Sequence, residues 1–332
     1  MLSRQILKQV GENSSKTANY NMEKSPNIYN QLLVILGPTA TGKTKLAVQL
    51  ADKLNGEIIS ADSRQLYKGM DIGTGKDLNE YIINKKKISY HLIDILDPND
   101  EYNVFQFQKD CQYNISSIKE KGKLPILCGG TALYIKAILM NFELPAVRPN
   151  DNLREELDKW HINDLIKKLK SISPNFSEHY LVDTKRRVIR AIEIEMSTEV
   201  KTNNNIQYTI KNPIVLGIEY PRETIRKRIT KRLDSRLNQG MIKEVESLLD
   251  NGITHQKLER FGLEYRFISY YIQKKLSKEE MIDKLNIAIH QFSKRQMTFF
   301  RNIEKNNVKI HWIPEGNVEK SLDVITKSGI SF

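Results

Sequence analysis

One eight-residue stretch constrains the fold of this chain more than any other part of it. Residues Gly37 to Thr44 match the phosphate-loop pattern G-x-x-x-x-G-K-[ST] and lie between an apolar run at 32–36 and a helical pattern at 45–54. The glycines allow backbone N–H groups to close around phosphate oxygens, and the N-terminus of the following helix adds partial positive charge. Lys43 adds a full charge, and the Thr44 hydroxyl is placed to ligate Mg²⁺. The stretch predicts a bound phosphate group but leaves the ligand and the reaction open.

Strand and helix patterns alternate along the rest of the chain. Short apolar runs predict buried strands, and apolar residues spaced three and four apart predict helices between them. We therefore predict the α/β fold class: a P-loop NTPase-like core with a parallel sheet flanked by helices, plus a small all-helical insertion domain. The predicted strands are Gln31–Leu36, Glu57–Ser60, Tyr90–Ile95, Leu124–Cys128, Ile214–Ile218 and Val308–Trp312. The helices predicted after residue 213 are Arg222–Asn238, segments near 240–250 and 263–275, and Lys278–Ile303.

Changes in composition divide the chain into a tail, a core and an insertion. Residues 1–30 are rich in Asn, Ser and Lys, so we expect a disordered tail, with Met22 as an alternative start. Residues 31–147 and 213–332 form the predicted core. Residues 148–212 form the predicted helical insertion, because they contain no clear strand pattern. Its helices are predicted near 152–160, 162–171 and 183–196, followed by an Asn-rich stretch at 203–207.

The net charge of +12 is unevenly distributed. Residues 1–147 contribute +3, residues 148–212 contribute +2 and residues 213–332 contribute +7. The excess in the last third favours contact with a polyanion such as nucleic acid, although many proteins are mildly basic without such a partner. No run approaches about eighteen apolar residues, and residues 1–30 contain no apolar signal region, so we expect no membrane span and no secretory signal. Cys111 and Cys128 have no metal-type spacing and fit a reducing cytosol, so we expect a cytoplasmic location.

Two polar residues follow predicted strands on the side where a ligand is expected. Asp62 comes after the second strand, and the carboxyl ends of parallel strands meet at one edge of a sheet, so its loop should face the phosphate loop. Asp62 is then a candidate catalytic residue, and the alternative is a helix cap or turn. Thr131 follows Gly129 and Gly130 at the end of another strand, where it either contacts a substrate or belongs to a tight turn.

Two groups of basic residues lie on predicted helices. Arg228, Arg232 and Arg236 repeat every fourth residue on one side of a helix, which suits a pyrophosphate group. A solvated face with distant ion-pair partners is the alternative. The segment Lys185–Arg190 in the insertion is also basic, and it is either a solvated face or a contact with a nucleic-acid backbone.

Taken together, the segments resemble the tRNA dimethylallyltransferases, also called tRNA isopentenyltransferases, of the bacterial type. The resemblance extends in order from about Gln31 to Trp312, and ordinary phosphate-loop kinases share only its first segment. The matching segments are Gly37–Thr44, Asp62–Lys76, His91–Asp94, Gly129–Tyr134, Arg186–Glu193 and Lys294–Gln296.

The resemblance implies a reaction and the residues that perform it. A dimethylallyl group passes from dimethylallyl diphosphate to the exocyclic N6 amine of the adenosine 3′ of the anticodon, in tRNAs that read codons beginning with U, and diphosphate is released. Asp62 matches the general base, Thr39 and Arg232 match residues that stabilise the leaving diphosphate, and Thr44 holds the Mg²⁺ cofactor. The implied diphosphate site contains Gly37, Pro38, Thr39, Ala40, Thr41, Gly42, Lys43, Thr44 and Arg228.

The expected partners are the tRNA anticodon stem-loop and dimethylallyl diphosphate, and the protein is expected to be a monomer. The target base is expected to flip out of the anticodon loop into the site. Two segments depart from the family pattern: Leu258–Tyr265 replaces a short Ile-Gly-Tyr turn, and Thr298-Phe299 replaces a common Thr-Trp pair. The implied tRNA-binding residues are Asp62, Ser63, Arg64, Gln65, Thr131, Arg154, Arg186, Arg187, Val188, Ile189 and Arg190.

Other functions compete with this interpretation. One is a catalytically inactive RNA-binding protein of the same fold, but the presence of Lys43, Thr44 and Asp62 argues against a loss of activity. A small-molecule kinase or ATPase also uses a phosphate loop, but no predicted strand here ends in the apolar run plus Asp that a clear second magnesium site requires. An adenylate isopentenyltransferase transfers the same group to a free nucleotide, and the helical insertion and basic last third then have no evident purpose.

Overall fold

The computed structural model describes residues 31–142, 145, 147–197, 210 and 212–329. The predictions for the tail at 1–30, for the alternative start at Met22 and for the Asn-rich stretch at 203–207 lie outside the described residues. Within the described part of the chain, no helix combines the length and the apolar character that crossing a membrane requires.

The centre of the molecule is a six-stranded sheet in which every neighbouring pair is parallel, with the order β5-β2-β6-β1-β7-β8. A separate two-stranded antiparallel hairpin consists of β3 and β4. The predicted α/β class with a parallel sheet is thereby confirmed. The strands are β1 (Leu33–Leu36), β2 (Gly56–Ser60), β3 (Ile82–Ile83), β4 (Lys86–Lys87), β5 (Tyr90–His91), β6 (Leu124–Gly129), β7 (Ile214–Glu219) and β8 (Ile310–Pro314).

Helices cover both faces of the sheet, which explains why its central strands are apolar throughout. Successive side chains of a strand point to opposite faces. Leu33 and Ile35 of β1 therefore belong to one buried cluster, and Val34 and Leu36 belong to the other. The helices are α1 (Lys43–Lys53), α2 (Val104–Glu120), α3 (Ala132–Leu139), α4 (Asp151–Leu157), α5 (Ile162–Ile172), α6 (Phe176–His179), α7 (Lys185–Met196), α8 (Arg222–Asn238), α9 (Met241–Asp250), α10 (His255–Phe261), α11 (Leu263–Ile272), α12 (Lys278–Lys305) and α13 (Val318–Lys327).

The structure differs from the predicted elements at several places. The predicted strand Tyr90–Ile95 ends at His91, because Leu92 and Asp94 have left-handed backbone conformations, with φ of 59° and 56°. The helix predicted near 263–275 is preceded by a further helix, α10, and Gly262 separates α10 from α11 with a φ of 142°. The final helix, α13, follows β8 and was not predicted.

Helices α4, α5 and α7 enclose a hydrophobic cluster of their own, separate from the two clusters at the sheet. The centre of α7 supplies Val188 and Ile192, both with no exposed side-chain surface, and α5 supplies Leu165 and Leu169. These helices occupy the chain between α3 and β7.

The strand order determines which loops meet. Strands β2, β6 and β1 are neighbours, so the loops at their carboxyl ends lie side by side. Those loops carry Asp62, Thr131 and the phosphate loop, respectively. Three segments that are far apart in the sequence therefore converge at one edge of the sheet.

Candidate active site

A cavity of about 710 Å³ opens at this edge of the sheet, between the strand ends and helices α8, α11 and α12. It combines cationic, carboxylate and aromatic side chains, as expected for a site that binds both an anion and an organic group. Its lining includes Thr39, Ala40, Gly42, Lys43, Thr44, Asp62, Ser63, Arg64, Gln65, Thr131, Arg228, Arg232, Arg236, Phe292, Gln296 and Phe299.

The phosphate loop closes over the amino end of α1. Ala40 and Gly42 have positive φ angles of 64° and 79°, which turn the backbone around the loop. The Thr41 hydroxyl donates to the Pro38 carbonyl at 2.8 Å, and Lys43 Nζ donates to the same oxygen at 2.9 Å. Five of the eight predicted loop residues line the cavity, whereas Gly37, Pro38 and Thr41 belong to the loop but do not line the cavity.

Burial changes the acidity of the two cations nearest the loop. Desolvation, with a smaller contribution from the charge of Arg232, lowers the pKa of Lys43 to about 8. Desolvation and the charge of Arg236 lower the pKa of Arg232 to about 10. Both groups carry their positive charge at neutral pH, and both are poorly hydrated, which strengthens their attraction for an anion.

The three arginines of α8 all face the cavity, as the spacing of four residues predicts. Arg228 Nε donates to the Ala40 carbonyl at 2.7 Å, and an Arg232 terminal nitrogen donates to the Thr39 hydroxyl. Arg236 pairs with Asp77 at 3.4 Å. Two of these arginines therefore hold the phosphate loop itself, while the third anchors the loop that follows Lys76.

Asp62 and Thr131 lie on adjoining loops beside the phosphate loop. Asp62 Oδ1 accepts a hydrogen bond from the backbone N–H of Arg64 at 3.0 Å, so its carboxylate caps its own turn and also lines the cavity. The Thr131 hydroxyl accepts from the backbone N–H of Ser63 at 3.0 Å. Each of the two residues thus stabilises a turn and also lies at the cavity wall, so the turn role does not exclude a functional one.

Arg64, which follows Asp62 in the same loop, contacts α11 and α12 at the cavity wall. The Arg64 guanidinium lies 5.3 Å from the centre of the Phe292 ring and 3.9 Å from a Glu264 carboxylate oxygen. Gly262 leaves room for it, because a Cβ at that position would lie 2.6 Å from Arg64 Nε. The segment that departs from the family pattern, Leu258–Tyr265, therefore packs directly against a predicted tRNA contact.

The Gly-rich loop 71–76 forms another wall and is held from outside by Glu244 of α9. The Glu244 carboxylate accepts from the backbone N–H groups of Asp71, Ile72 and Gly73 at 2.8, 2.6 and 2.9 Å. It also accepts from the Tyr265 hydroxyl at 2.8 Å. On the inner side, Gln65 Nε2 donates to the Gly75 carbonyl at 2.9 Å, which fixes the Gln65 side chain.

The predicted tRNA contacts in the helical region do not line the cavity. Val188 and Ile189 pack in the cluster of α4, α5 and α7, with exposed fractions of 0% and 7%. Arg154 and Arg190 both pair with Glu193, which is 2% exposed. Arg187 pairs with Asp183 at 2.6 Å, and Arg186 is exposed on the same helix.

Gln296 is a site residue to which the sequence reasoning gave no role. It is 6% exposed and connects the phosphate loop to the loop that carries Thr131. A signal was present in the sequence. Gln296 lies seven residues after Ile289 and four before Phe300 on the inward face of a long helix, where a polar side chain needs hydrogen-bond partners.

The donor atoms suit a magnesium ion that is bound mainly through substrate. Among the described residues there is no group of three or more His, Cys, Asp and Glu side chains that would hold a metal by itself. Thr44 places a hydroxyl at the cavity wall beside Lys43. Mg²⁺ keeps several waters and commonly takes few protein ligands together with phosphate oxygens, so a single hydroxyl fits that role.

Protein-family models and similar sequences match most of this chain. Residues 65–303 match the family model described as IPP transferase, and residues 30–99 match the one described as isopentenyl transferase. The tRNA dimethylallyltransferase 1 of Azobacteroides pseudotrichonymphae is 49% identical over 85% of this chain and 92% of its own length. The tRNA dimethylallyltransferase 1 of Parabacteroides distasonis is 48% identical over 85% of this chain and 92% of its own length.

Solved structures have the same fold. The full-length tRNA isopentenylpyrophosphate transferase from Bacillus halodurans aligns over 90% of this chain and 97% of its own, with a TM-score of 0.66 and 34% identity. A eukaryotic dimethylallyltransferase, captured acting on tRNA, aligns over 90% of this chain and 77% of its own, with a TM-score of 0.72 and 25% identity. The phosphate loop, the parallel sheet and these matches lead to one conclusion: the chain belongs to the IPP transferase family.

Proposed function

We propose that this protein transfers a dimethylallyl group from dimethylallyl diphosphate to the exocyclic N6 amine of a tRNA adenosine, the one 3′ of the anticodon in tRNAs that read codons beginning with U. Diphosphate is the second product. The observation that carries the proposal is the cavity, which is lined by the phosphate loop, three arginines and the carboxylate of Asp62 together. The names of the relatives support the same reaction.

The residues divide the chemistry between the two reactants. The bond between C1 of the dimethylallyl group and the diphosphate oxygen breaks as a bond forms between C1 and N6 of adenine. The N6 proton passes to the Asp62 carboxylate, which acts as general base because a neutral exocyclic amine is a poor nucleophile. The negative charge that develops on the diphosphate is stabilised by Lys43, Arg232 and the hydroxyl of Thr39.

The dimethylallyl group has an apolar wall available to it. Ile289, Phe292 and Phe299 of α12 line the cavity together with the cationic groups. Aromatic and aliphatic side chains there exclude water from C1, which favours transfer to the amine over hydrolysis. The Thr44 hydroxyl would hold Mg²⁺ at this wall, where the ion would add charge neutralisation for the leaving diphosphate.

Recognition of the tRNA acceptor involves both parts of the chain. Residues 148–212 act as an inserted helical domain that contacts the anticodon stem-loop, and residues 31–147 and 213–332 form the catalytic core. Arg64, Gln65 and Thr131 at the cavity wall meet the flipped adenosine and its neighbours. The protein acts as a monomer in the cytoplasm.

A transfer assay with two acceptors tests the proposal. The protein is incubated with labelled dimethylallyl diphosphate and Mg²⁺, and either unmodified tRNA or AMP is added. We expect label in the tRNA and none in AMP, and mapping of the labelled nucleotide should identify the adenosine 3′ of the anticodon. Label in AMP alone would assign the chain to the free-nucleotide acceptors. In a parallel incubation with ATP and Mg²⁺, ATP hydrolysis by a protein that transfers no prenyl group would assign it to the phosphoryl-transfer enzymes.

A further inference from the structure

One side chain, Gln296, links the two halves of the candidate active site. Its Oε1 accepts from the backbone N–H of Thr39 in the phosphate loop at 2.9 Å. Its Nε2 donates to the backbone carbonyl of Gly130, next to Thr131, at 2.9 Å. The three residues belong to α12, the phosphate loop and the loop after β6, which are far apart in the sequence.

Thr39, and Thr131 next to Gly130, are held by further hydrogen bonds. The Thr39 hydroxyl accepts from Arg232, so the side chain and the backbone of Thr39 are each fixed by a different helix. The Thr131 hydroxyl accepts from the backbone N–H of Ser63, next to Asp62. The Gln296 side-chain amide therefore connects Thr39, the proposed contact of the leaving diphosphate, to the Thr131 loop. That loop adjoins Asp62, the proposed general base.

The close approach of Gln296 to the backbone depends on a glycine. A Cβ at position 130 would lie 2.7 Å from Gln296 Nε2, closer than side-chain atoms ordinarily approach. Gln296 is also 6% exposed, so the amide has little access to water as an alternative partner. Under these conditions the loss of either hydrogen bond leaves a backbone group unsatisfied.

We infer that Gln296 is a positioning residue that keeps the diphosphate half and the acceptor half of the site at a fixed separation. The inference rests on the proposed function. Gln296 does so by holding the Thr39 N–H with Oε1 and the Gly130 carbonyl with Nε2, which ties the phosphate loop to the Thr131 loop. The diphosphate then has a rigid loop to bind, and its C1–O bond lies in line with the acceptor amine.

Two substitutions separate hydrogen bonding from packing. Gln296→Met preserves the length and most of the volume of the side chain but removes both hydrogen bonds. Gln296→Glu preserves an acceptor for the Thr39 N–H but places a carboxylate oxygen against the Gly130 carbonyl. Gln291→Met is the matched control, because Gln291 is an exposed glutamine on the same helix and does not line the cavity.

The measurements are the Kd for inorganic pyrophosphate with Mg²⁺, the Kd for tRNA, and kcat and KM for dimethylallyl diphosphate. For Gln296→Met we expect pyrophosphate Kd to rise about 3- to 30-fold, because ordering the freed phosphate loop on binding costs part of the free energy that the two intramolecular hydrogen bonds supplied. The tRNA Kd should stay within about 2-fold. Gln296→Glu should lose at least as much pyrophosphate affinity as Gln296→Met, and Gln291→Met should match the wild type.

Three results would overturn the inference: a Gln296→Met variant that binds pyrophosphate like the wild type, one that loses tRNA and pyrophosphate affinity to the same degree, or a wild-type protein that binds no pyrophosphate. The pyrophosphate assay requires no prenyl transfer. A wild type that binds pyrophosphate but transfers no prenyl group to tRNA would therefore reject the proposed function alone, and the variants would still decide the role of Gln296.

Discussion

At the residue scale, the proposed role of Asp62 as general base can be tested with a single substitution. Asp62→Asn keeps the shape of the side chain and an oxygen for the Arg64 N–H, but it cannot take the N6 proton. We expect turnover to fall by about two to four orders of magnitude, the usual range for a lost general base. The Kd values for tRNA and pyrophosphate should change little, which equilibrium binding measurements can establish.

A matched control for this substitution is Asp250→Asn, which changes an exposed carboxylate at the end of α9 that does not line the cavity. Its turnover should equal that of the wild type. If Asp62→Asn transferred the prenyl group at a near-normal rate, Asp62 would have no role as a base and would act only as the cap of its turn.

The low pKa of Lys43 predicts a pH dependence. Lys43 binds an anion when it is protonated, and its pKa in the free enzyme lies at about 8 because of desolvation. The charged fraction therefore falls as the pH rises through 8, so kcat/KM for dimethylallyl diphosphate should decrease above that pH, by up to tenfold per pH unit. Lys43→Arg keeps its charge at these pH values, so its kcat/KM should not decrease in this way. A wild-type kcat/KM that is constant from pH 7 to 9.5 would contradict the prediction.

Single residues show where sequence reasoning succeeds and where it ends. The cavity position of Asp62 followed from its place after a parallel strand, a rule that needs no tertiary information. The pairing of Arg154 with the buried Glu193 was not predicted, because these partners come together only when α4 packs against α7. Arg190 pairs with the same carboxylate three residues along its own helix, a contact that the spacing alone allows. A pattern of basic residues does not distinguish a nucleic-acid contact from such an ion pair.

At the scale of elements, α8 presents its arginines to the phosphate loop. Arg232→Met removes a half-buried cation that faces the proposed leaving group and donates to the Thr39 hydroxyl. We expect kcat/KM for dimethylallyl diphosphate to fall about 100- to 1,000-fold, as for other lost donors to a developing anion. Steady-state kinetics at saturating tRNA would measure this.

Lys227→Met provides the comparison on the same helix, since Lys227 is exposed and is absent from the cavity lining. It removes one positive charge from α8 without touching the loop, and its kcat/KM should be that of the wild type. Equal losses in the two variants would mean that α8 acts through its overall charge rather than through the position of Arg232.

The loop 71–76 depends on one carboxylate from α9. Glu244→Gln retains the shape of the side chain but replaces one of the two acceptor oxygens that serve three backbone N–H groups and the Tyr265 hydroxyl. We expect the free energy of unfolding to decrease by about 1–3 kcal/mol, the cost of leaving buried donors unsatisfied. Urea unfolding would measure it, with Glu246→Gln, an exposed position on the same helix, expected to be neutral; equal stability of both variants would show that the loop holds itself.

Element boundaries were predictable where the signal was local. Arg222–Asn238 has its apolar residues at regular spacing, and the structure places α8 at these bounds. The division between α10 and α11 depends on the backbone of Gly262, where the approach of Arg64 excludes a Cβ. That constraint comes from a residue about two hundred positions earlier in the sequence, so local periodicity does not contain it.

At the scale of the whole molecule, the phosphate loop determined most of what could be predicted. A strand, a phosphate loop and a helix fix one βα unit, and the alternation of further strands and helices favours a parallel sheet. The order of the strands was not predicted, yet it is the strand order that places β6 between β1 and β2 and so brings Thr131 between the phosphate loop and Asp62. Local patterns thus gave the components of the site, and the topology gave their arrangement.

The helical region is expected to contact tRNA through the exposed face of α7. Of the basic residues predicted to contact tRNA on α7, Arg186 is exposed, whereas Arg190 pairs with the buried Glu193. Reversal of the charge at Arg186 should therefore weaken tRNA binding without disturbing the helical cluster. For Arg186→Glu we expect the tRNA Kd to rise several-fold, and the slope of log K against log salt to become shallower by about one, since one phosphate contact is lost.

The control for Arg186→Glu is Lys167→Glu, which makes the same change of charge at an exposed position on α5 that pairs with Asp164. Pyrophosphate binding should be unchanged in both variants, because neither residue lines the cavity. If both variants weakened tRNA binding equally, the helical region would attract tRNA only through its total charge. If neither did, α7 would lie outside the tRNA interface, and the basic residues of the last third of the chain would have to hold the anticodon stem-loop.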